Sequence, residues 1–237
     1  MKRLDKLLSD AGVAGRRELK SIIRSGRVCV DGVPVTAPEH KVDENTAVVT
    51  LDGTAISGQT FYYYMIHKPA GVVTATEDRE QKTVLDLLPP ELVRQGVFPV
   101  GRLDKDTTGL LLLTNDGDFA HQVISPRSHV EKRYRARVDG IPNEEDVEAF
   151  AKGMELRDGS QCLPAKLEID GTDVCFVTLR EGKYHQVKRM LAARGKPVLA
   201  LHRVSVGQLK LEENLVSGAF RPLSPEEVQM ALLENTL

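Results

Sequence analysis

The hydrophobic positions follow two different patterns along the chain. In the first 50 residues, Leu4, Leu7 and Leu8 repeat at helical spacing, and residues 16–25 form a second amphipathic segment. Two short apolar runs on either side of Asp31-Gly32 predict a β-hairpin, because Asp-Gly favours the tight turn that joins hairpin strands. The pattern therefore predicts a small N-terminal domain, residues 1–50, made of two helices and a hairpin.

Strand patterns dominate the rest of the chain. Residues 51–60 are rich in Gly, Ser and Thr and lack an apolar period, so we assign them to a linker. Residues 61–66 predict a strand by their aromatic content, and the leucines of residues 110–113 predict a strand that is buried on both faces. Further elements of this larger domain, residues 61–237, are predicted as helices at 118–124 and 145–154 and as paired strands at 167–169 and 174–179. The mixture indicates an α+β protein.

Composition limits the function classes. Hydrophobic residues make up 41% of the chain and charged residues 28%, as in soluble globular proteins. No apolar run reaches the length of a membrane span and the N-terminus has no signal segment, so we expect a cytoplasmic protein without a membrane partner. The three cysteines lie far apart, which favours reduced thiols. The histidines lack metal-ligand spacing and glycine-rich nucleotide loops are missing, so neither a metal nor a cofactor is predicted.

Although the net charge of the chain is −2, its N-terminal segment is basic. Its cations lie mostly on the exposed side of the second predicted helix; they are Arg16, Arg17, Lys20, Arg24 and Arg27. Such a face either stays solvated, as most basic helices do, or binds the phosphates of a nucleic acid. The residues alone leave both interpretations open.

The stretch 101–115 joins a polar turn to the buried leucine strand. Gly101 and Gly109 bracket the turn and permit backbone angles that a side chain would forbid. Asp104 is therefore expected on a rigid loop at the mouth of a core, where fixed geometry suits a nucleophile or a general base. The alternative is that Asp104 is a turn former or a helix cap, the commonest role of Asp beside glycine.

Residues 131–138 alternate basic residues with others at the period of a strand. Lys132 and Tyr134 are predicted on one face, and Arg133, Arg135 and Arg137 on the other. Cations for phosphates together with a ring for a base are what contact with a nucleic acid requires. The alternative is a solvated edge strand whose basic side chains oppose pairing with another chain.

The segment after Glu181 is predicted to be helical. Its core-facing stripe consists of Tyr184, Val187, Met190 and Leu191. His185, Lys188 and Arg189 remain for another face, which can turn toward the loop of Asp104.

Asp104 also begins a string that matches the Asp-x-Asp-x-Thr motif of phosphatases of the haloacid dehalogenase type: Asp104-Lys105-Asp106-Thr107-Thr108. That motif follows a hydrophobic strand, whereas Pro99, Gly101 and Arg102 precede Asp104 here. A later acidic pair for magnesium has no clear counterpart in the sequence. The phosphatase interpretation is therefore discounted.

Over residues 1–50, the order of helix, Gly, Arg-rich helix and Gly-Arg-Val-x-Val-Asp-Gly resembles the S4 RNA-binding domain. Strings in the remaining chain resemble those of the pseudouridine synthases, in particular the branch that carries an N-terminal S4 domain and acts on ribosomal RNA. They occur in that family's order and are His67-Lys68-Pro69-Ala70-Gly71, residues 100–110, Ser125-Pro126-Arg127, Glu131-Lys132-Arg133-Tyr134 and residues 181–190. The last two are most similar to the enzymes of small-subunit ribosomal RNA.

The resemblance implies a fold, an activity and a partner. The fold is α+β: a small S4-like α/β RNA-binding domain, followed by a catalytic domain with a mixed, mainly antiparallel β-sheet and flanking helices. The activity is the cofactor-free isomerisation of one uridine to pseudouridine, after that base is flipped out of its stack. The partner is ribosomal RNA, free or in an assembling particle, and a monomer is the default state. Two alternatives stay open: a large-subunit enzyme of the same branch and a non-catalytic RNA-binding assembly factor.

The resemblance also implies roles for particular residues. Asp104 is the catalytic carboxylate, through attack on the ribose C1′ or through assistance to deprotonation. Tyr134 is expected to stack on the flipped uracil, and Arg102 to hold a phosphate or to fill the vacated stack. Lys188 stands where much of the wider family has Arg, so either Lys188 or Arg189 is expected to pair with Asp104.

Overall fold

The hydrophobic residues collect in two separate units of the chain. In the computed structural model, which describes residues 1–44, 46–56 and 61–234, these units are Met1–Phe61 and Tyr62–Leu237. For Arg16 and Pro126 the description covers the backbone alone. Each unit has its own core of buried aliphatic side chains, which is the mark of a domain.

The N-terminal unit follows the predicted pattern. Its two helices bury Leu4, Leu8 and Ile23 completely. The predicted hairpin turns at Asp31 and Gly32, whose φ angles of 50° and 80° are both positive, as a two-residue hairpin turn requires. The elements are β1 (Lys2–Arg3), α1 (Leu4–Asp10), α2 (Arg16–Arg24), β2 (Val28–Val30), β3 (Val33–Pro34), β4 (Lys41–Val42), β5 (Val49–Leu51) and β6 (Thr54–Ala55).

The strands of this unit extend further along the chain than the sequence predicts. Residues 51–60 are predicted to be a linker, but Leu51 belongs to β5 and pairs with Thr54 of β6, while β5 itself pairs with β2. The linker prediction is therefore wrong for residues 51–55. The missed signal is a second Asp-Gly turn, Asp52-Gly53, again with positive φ at both residues. Residues 57–60 lie outside the described part of the chain.

The C-terminal unit contains the remaining elements. They are β7 (Tyr63–Lys68), α3 (Pro90–Arg94), β8 (Phe98–Val100), β9 (Thr108–Thr114), α4 (Gly117–Ile124), β10 (Lys132–Val138), α5 (Glu144–Lys152), β11 (Met154–Glu155), β12 (Gln161–Cys162), β13 (Lys166–Ile169), β14 (Val174–Leu179), α6 (Gln186–Ala193), β15 (Val198–Val206), β16 (Leu209–Lys210), β17 (Phe220–Pro222) and α7 (Pro225–Met230), with 3-10 turns at Leu85–Leu87 and Pro126–Ser128. Among the described residues, none of the helices combines the length and the apolar character that crossing a membrane requires.

Nine strands of the described residues form one mixed sheet in this unit. Its order is β13-β14-β10-β15-β9-β7-β17, with β16 beside β15 and β8 beside β9. Of the strand pairs described in this sheet, all are antiparallel except β15 with β9, which run parallel through His202↔Thr108 and Arg203↔Gly109. A mixed, mainly antiparallel sheet with helices beside it confirms the predicted α+β class.

The leucine strand β9 is buried on both faces, as predicted. Leu110 and Leu112 pack into one core cluster and Leu111 and Leu113 into the other, and each is at most 1% exposed. Burial of a leucine side chain is worth about 1.5–3 kcal/mol, so four in succession anchor this strand firmly. The loop that precedes β9 therefore ends at a firmly anchored strand.

Strand β10 lies in the interior of the sheet. It is hydrogen-bonded to β14 on one side and to β15 on the other, so the edge-strand alternative is wrong. The predicted division of its faces is confirmed: Lys132 and Tyr134 are buried, whereas Arg135 and Arg137 are exposed.

Helix α6 is shorter than its predicted stripe. It begins at Gln186, and 71% of Tyr184 is exposed, so Tyr184 does not join the core. The reason is local, because His185 adopts a left-handed backbone conformation (φ 48°, ψ 34°) that cannot continue a helix toward Tyr184.

Candidate active site

The loop between β8 and β9 carries Asp104 at a fixed position. Gly101 and Gly109 both have positive φ, 74° and 109°, so the expected glycine conformations are confirmed. Within the loop, the Thr107 amide donates a hydrogen bond to the Asp104 carbonyl, 3.1 Å away. The Gly71 amide, from the turn after β7, donates to the Lys105 carbonyl at 2.8 Å. The loop is therefore held by a hydrogen bond within it and by a second one from the turn after β7.

The buried side chain of Lys68 anchors the loop that carries Asp104. The Lys68 amine is fully buried and donates hydrogen bonds to the carbonyls of Pro69 (2.9 Å), Thr107 (2.8 Å) and Lys105 (3.3 Å). Burial disfavours the charged amine and lowers the pKa of Lys68 to about 8. Two carbonyls of the Asp104 loop thus share one donor, which restricts the loop further.

Asp104 meets two nitrogen groups of the α6 region. Its Oδ2 lies 3.0 Å from Lys188 Nζ, and its Oδ1 lies 3.4 Å from His185 Nε2. The Lys188 amine also donates to Asp106 Oδ1 at 2.6 Å. Burial acts to lower the pKa of Lys188, but the hydrogen bonds to Asp106 and Asp104 outweigh it and raise that pKa above its ordinary value. Lys188 is therefore a cation that two carboxylates share.

A small cavity of about 70 Å³ opens beside Asp104. Its polar lining includes Arg102, Thr107, Tyr134 and His185. Its apolar lining includes Leu103, Leu179, Val187 and Leu201. A neighbouring cavity of about 370 Å³ shares Arg102 and Tyr134 with it. Asp104 therefore borders a recess with a ring on one side and charged groups at its rim.

Tyr134 is held in this recess by its neighbours. Only 9% of the residue is exposed, and its hydroxyl lies 3.5 Å from Arg203 Nη1. Arg203 is itself fixed, because its Nε donates to the Leu110 carbonyl at 2.8 Å. The guanidinium carbon of Arg203 lies 6.0 Å from the Tyr134 ring centroid, near the limit of a cation–π contact.

The structure brings together most, but not all, of the residues that the sequence singles out. Asp104, Arg102, Tyr134 and Lys188 meet at one recess. Arg189 lies elsewhere: its guanidinium pairs with Asp158 and donates to the Tyr184 carbonyl at 3.3 Å. The open choice between Lys188 and Arg189 is thereby decided, since Lys188 is the partner of Asp104 in the structure.

Two residues of this site are given no role by the sequence. The sequence places His185 with Lys188 and Arg189 on a face that can turn toward the loop of Asp104, and the left-handed His185 backbone does bring its ring beside Asp104. Lys68 lies in a motif that the sequence displays, but a lysine after an aromatic strand gives no sign that its amine is buried under a distant loop.

The basic residues of the N-terminal unit lie on its surface. Arg17, Lys20, Arg24 and Arg27 are exposed, as predicted, and the Arg16 side chain lies outside the described part of the chain. Arg27 is not a free cation, because its Nε donates to Asp52 Oδ1 at 2.9 Å. The exposed basic face is therefore centred on α2 rather than on the strand that follows it.

Comparison with known proteins identifies the class. The profile of the RNA pseudouridylate synthase family matches residues 62–193, and that of the S4 domain matches residues 2–48. The chain therefore belongs to the RNA pseudouridylate synthase family and carries an S4 domain at its N-terminal end. It is an enzyme, a pseudouridine synthase, and its reaction is an isomerisation.

Individual relatives cover almost the entire chain. An uncharacterized RNA pseudouridine synthase of Bacillus subtilis, YtzG, is 44% identical over 96% of this chain and 97% of its own length. Ribosomal small subunit pseudouridine synthase A of Vibrio cholerae is 44% identical over 95% of this chain and 97% of its own, and that of Escherichia coli is 39% identical over 95% and 98%. A crystal structure of a pseudouridylate synthase superposes with a TM-score of 0.71 at 33% identity, covering 98% of this chain and all of the other.

Proposed function

We propose that this enzyme converts a specific uridine of small-subunit ribosomal RNA to pseudouridine, with Asp104 as the catalytic carboxylate. The observation that carries the proposal is the position of Asp104, on a clamped loop beside a recess that also contains the Tyr134 ring and faces the Lys188 cation. The relatives named for the small ribosomal subunit support the choice of RNA, since they match this chain over at least 95% of its length.

The proposed reaction is an isomerisation, so the substrate and the product contain the same atoms. The glycosidic bond between C1′ and N1 breaks, the uracil turns, and a new bond forms between C1′ and C5. The proton on C5 is lost and N1 gains one. Asp104 assists either as a nucleophile at C1′ or as a base, and both routes need its carboxylate within reach of the ribose.

The RNA must present the uridine outside its stack for this chemistry. Base flipping costs a few kcal/mol, and an aromatic surface inside the enzyme offsets part of that cost. In the proposal Tyr134 is this surface, and Arg102 at the exposed rim contacts a phosphate next to the flipped nucleotide. Exposed cations of α2, namely Arg17, Lys20 and Arg24, contact RNA phosphates away from the reaction.

The stacking role of Tyr134 predicts different results for two substitutions. Tyr134→Phe keeps the ring and is expected to retain the rate of modification within a few-fold. Tyr134→Leu keeps apolar volume but removes the ring, and is expected to lose about 5- to 150-fold, the range for one base–aromatic stack. Single-turnover rates measure the effect, with thermal unfolding to verify that each variant is folded. Equal losses in both variants would assign the role to the hydroxyl and its contact with Arg203 instead.

The proposed function is tested with unmodified RNA. The purified protein is incubated with transcripts of small-subunit and of large-subunit ribosomal RNA, in the absence of added metal, and pseudouridines are mapped by chemical labelling. We expect one modified position, in the small-subunit transcript. Modification of the large-subunit transcript alone would support the other branch of the family. If neither transcript nor an assembling small-subunit particle is modified, the proposed substrate is wrong.

A further inference from the structure

Two aromatic rings are stacked at the edge of the recess. The rings of Tyr184 and His185 lie with their centroids 3.9 Å apart and their planes 17° apart, which is a parallel stack. His185 forms the inner ring, and 71% of Tyr184 is exposed. One face of the Tyr184 ring packs on His185, and the exposed remainder is open to a further stacking partner.

The segment that carries this pair is rigid. The buried carboxylate of Glu181 accepts hydrogen bonds from the Gln186 side chain at 2.6 Å and from the Leu163 amide at 2.8 Å. The Gln186 amide oxygen accepts from the Lys183 backbone amide at 3.0 Å. These bonds tie both ends of the turn that contains Tyr184. The backbone that carries Tyr184 is therefore restrained before any ligand arrives, which reduces the entropy lost on binding.

The backbone conformation at His185 sets the position of the stacked pair. Among the described residues other than glycine, His185 is one of four with a positive φ, a conformation that is uncommon for such residues. Its result here is that the His185 ring lies between Tyr184 and the Asp104 carboxylate. His185 also lines the same cavity as Tyr134. The stacked pair thus begins at the reacting recess and ends at the surface.

The charges around the pair suit RNA. Arg102 and Lys183 line both cavities of the recess, and Lys188 lies beneath it. A polyanionic strand entering the recess therefore passes cations on its way. When one nucleotide leaves a stack, its neighbour loses a stacking partner, and an exposed ring beside the recess can replace that partner.

We propose that the outer face of Tyr184 is a second base-binding site, which stacks on the base adjacent to the uridine that enters the recess. This inference rests on the proposed function, because it needs RNA as the substrate. Every base has a face that can stack, so the site accepts any neighbour and favours purines, whose larger rings overlap more with tyrosine. His185 contacts the oxygen of Asp104 that Lys188 does not contact. A base stacked on Tyr184 therefore also restrains the His185 ring against Asp104.

The test separates binding from turnover by using Asp104→Asn as the parent protein. In that background, Tyr184→Ala is expected to raise the Kd for unmodified small-subunit ribosomal RNA by about 5- to 150-fold, which corresponds to about 1–3 kcal/mol for one stacked base. Tyr184→Phe is expected to bind within twofold of the parent, and Tyr184→Leu to bind nearly as weakly as the alanine variant. Ile141→Ala, at a residue that is 65% exposed, is the control and is expected to leave the Kd unchanged.

A second measurement identifies the partner of the ring. Once the modified uridine is mapped, short RNAs are prepared that lack the base on its 5′ or its 3′ side. Loss of the correct base is expected to remove the difference between the parent and Tyr184→Ala, while loss of the other base preserves it. Equal Kd values for Tyr184→Ala and its parent on intact RNA would overturn the second site. Failure of the proposed function gives a different result, namely RNA that wild-type protein leaves unmodified.

Discussion

Asp104→Asn is expected to reduce the rate of pseudouridine formation by at least about 10⁴-fold, the scale seen when a catalytic nucleophile or base is removed. Asparagine has nearly the shape of aspartate, so the loop and its hydrogen bonds to Lys68 and Gly71 should persist. The amide cannot attack C1′ or take up a proton at neutral pH. The rate is measured in a single turnover with excess enzyme, and RNA binding is measured on the same preparation.

Asp106→Asn is the matched control for this experiment. Asp106 lies two residues away and shares Lys188 with Asp104, but its side chain is 75% exposed. Removing its charge leaves Lys188 paired with Asp104 alone, so we expect a loss of no more than about tenfold, in line with an exposed ion pair. If the Asp106 variant loses as much activity as the Asp104 variant, or if the latter still turns over, the catalytic assignment of Asp104 is wrong.

Gly109→Ala is expected to destabilise the C-terminal unit by about 3–5 kcal/mol or to prevent its folding. A Cβ at this position would lie 2.3 Å from the carbonyl oxygen of Arg203 and 2.6 Å from its amide nitrogen. These are backbone atoms of the paired strand, so they can move only if the parallel contact between β9 and β15 opens. The backbone angle, φ 109°, adds strain for any side chain.

Thermal and urea unfolding compare this variant with Gly171→Ala. Gly171 also has a positive φ, 93°, but a Cβ there would meet no atom within 4 Å. The control therefore reports backbone strain alone and is expected to cost about 1–2 kcal/mol. Similar losses for the two variants would mean that the close approach of β9 and β15 adds no steric cost to a side chain at position 109.

Local patterns predicted much of the architecture. The Asp31-Gly32 hairpin and the leucine strand 110–113 follow from turn chemistry and from apolar runs, which depend on neighbours in sequence. The same logic fails at residues 51–55, where the search for an apolar period missed the Asp52-Gly53 turn. The prediction that Tyr184 faces the core is wrong for another reason. Its spacing fits a helix, but the left-handed backbone of His185 makes the helix begin only at Gln186.

The residues of the candidate site are likewise predicted from the sequence in part, whereas their contacts depend on the packing. Asp104, Arg102 and Tyr134 are predicted from the sequence because they lie in strings that resemble those of the pseudouridine synthases and occur in the same order. Their roles in the reaction remain predictions. Lys188 and Arg189 are adjacent on a helix and therefore point about 100° apart. Only the packing of α6 determines that Lys188 faces Asp104 while Arg189 faces Asp158.

The amino-acid order alone was sufficient for the α+β class, for the S4 and synthase parts of the chain, and for the loop that carries Asp104, because each depends on local strings and periods in the sequence. The tertiary structure alone selected Lys188 over Arg189 as the partner of Asp104. It alone revealed the buried Lys68 amine under the Asp104 loop, the interior position of β10 and the exposed stack of Tyr184 on His185. These features join residues that are distant in sequence or depend on which side of an element faces its neighbour. Such contacts are selected by the packing of the whole unit, and no local pattern encodes them.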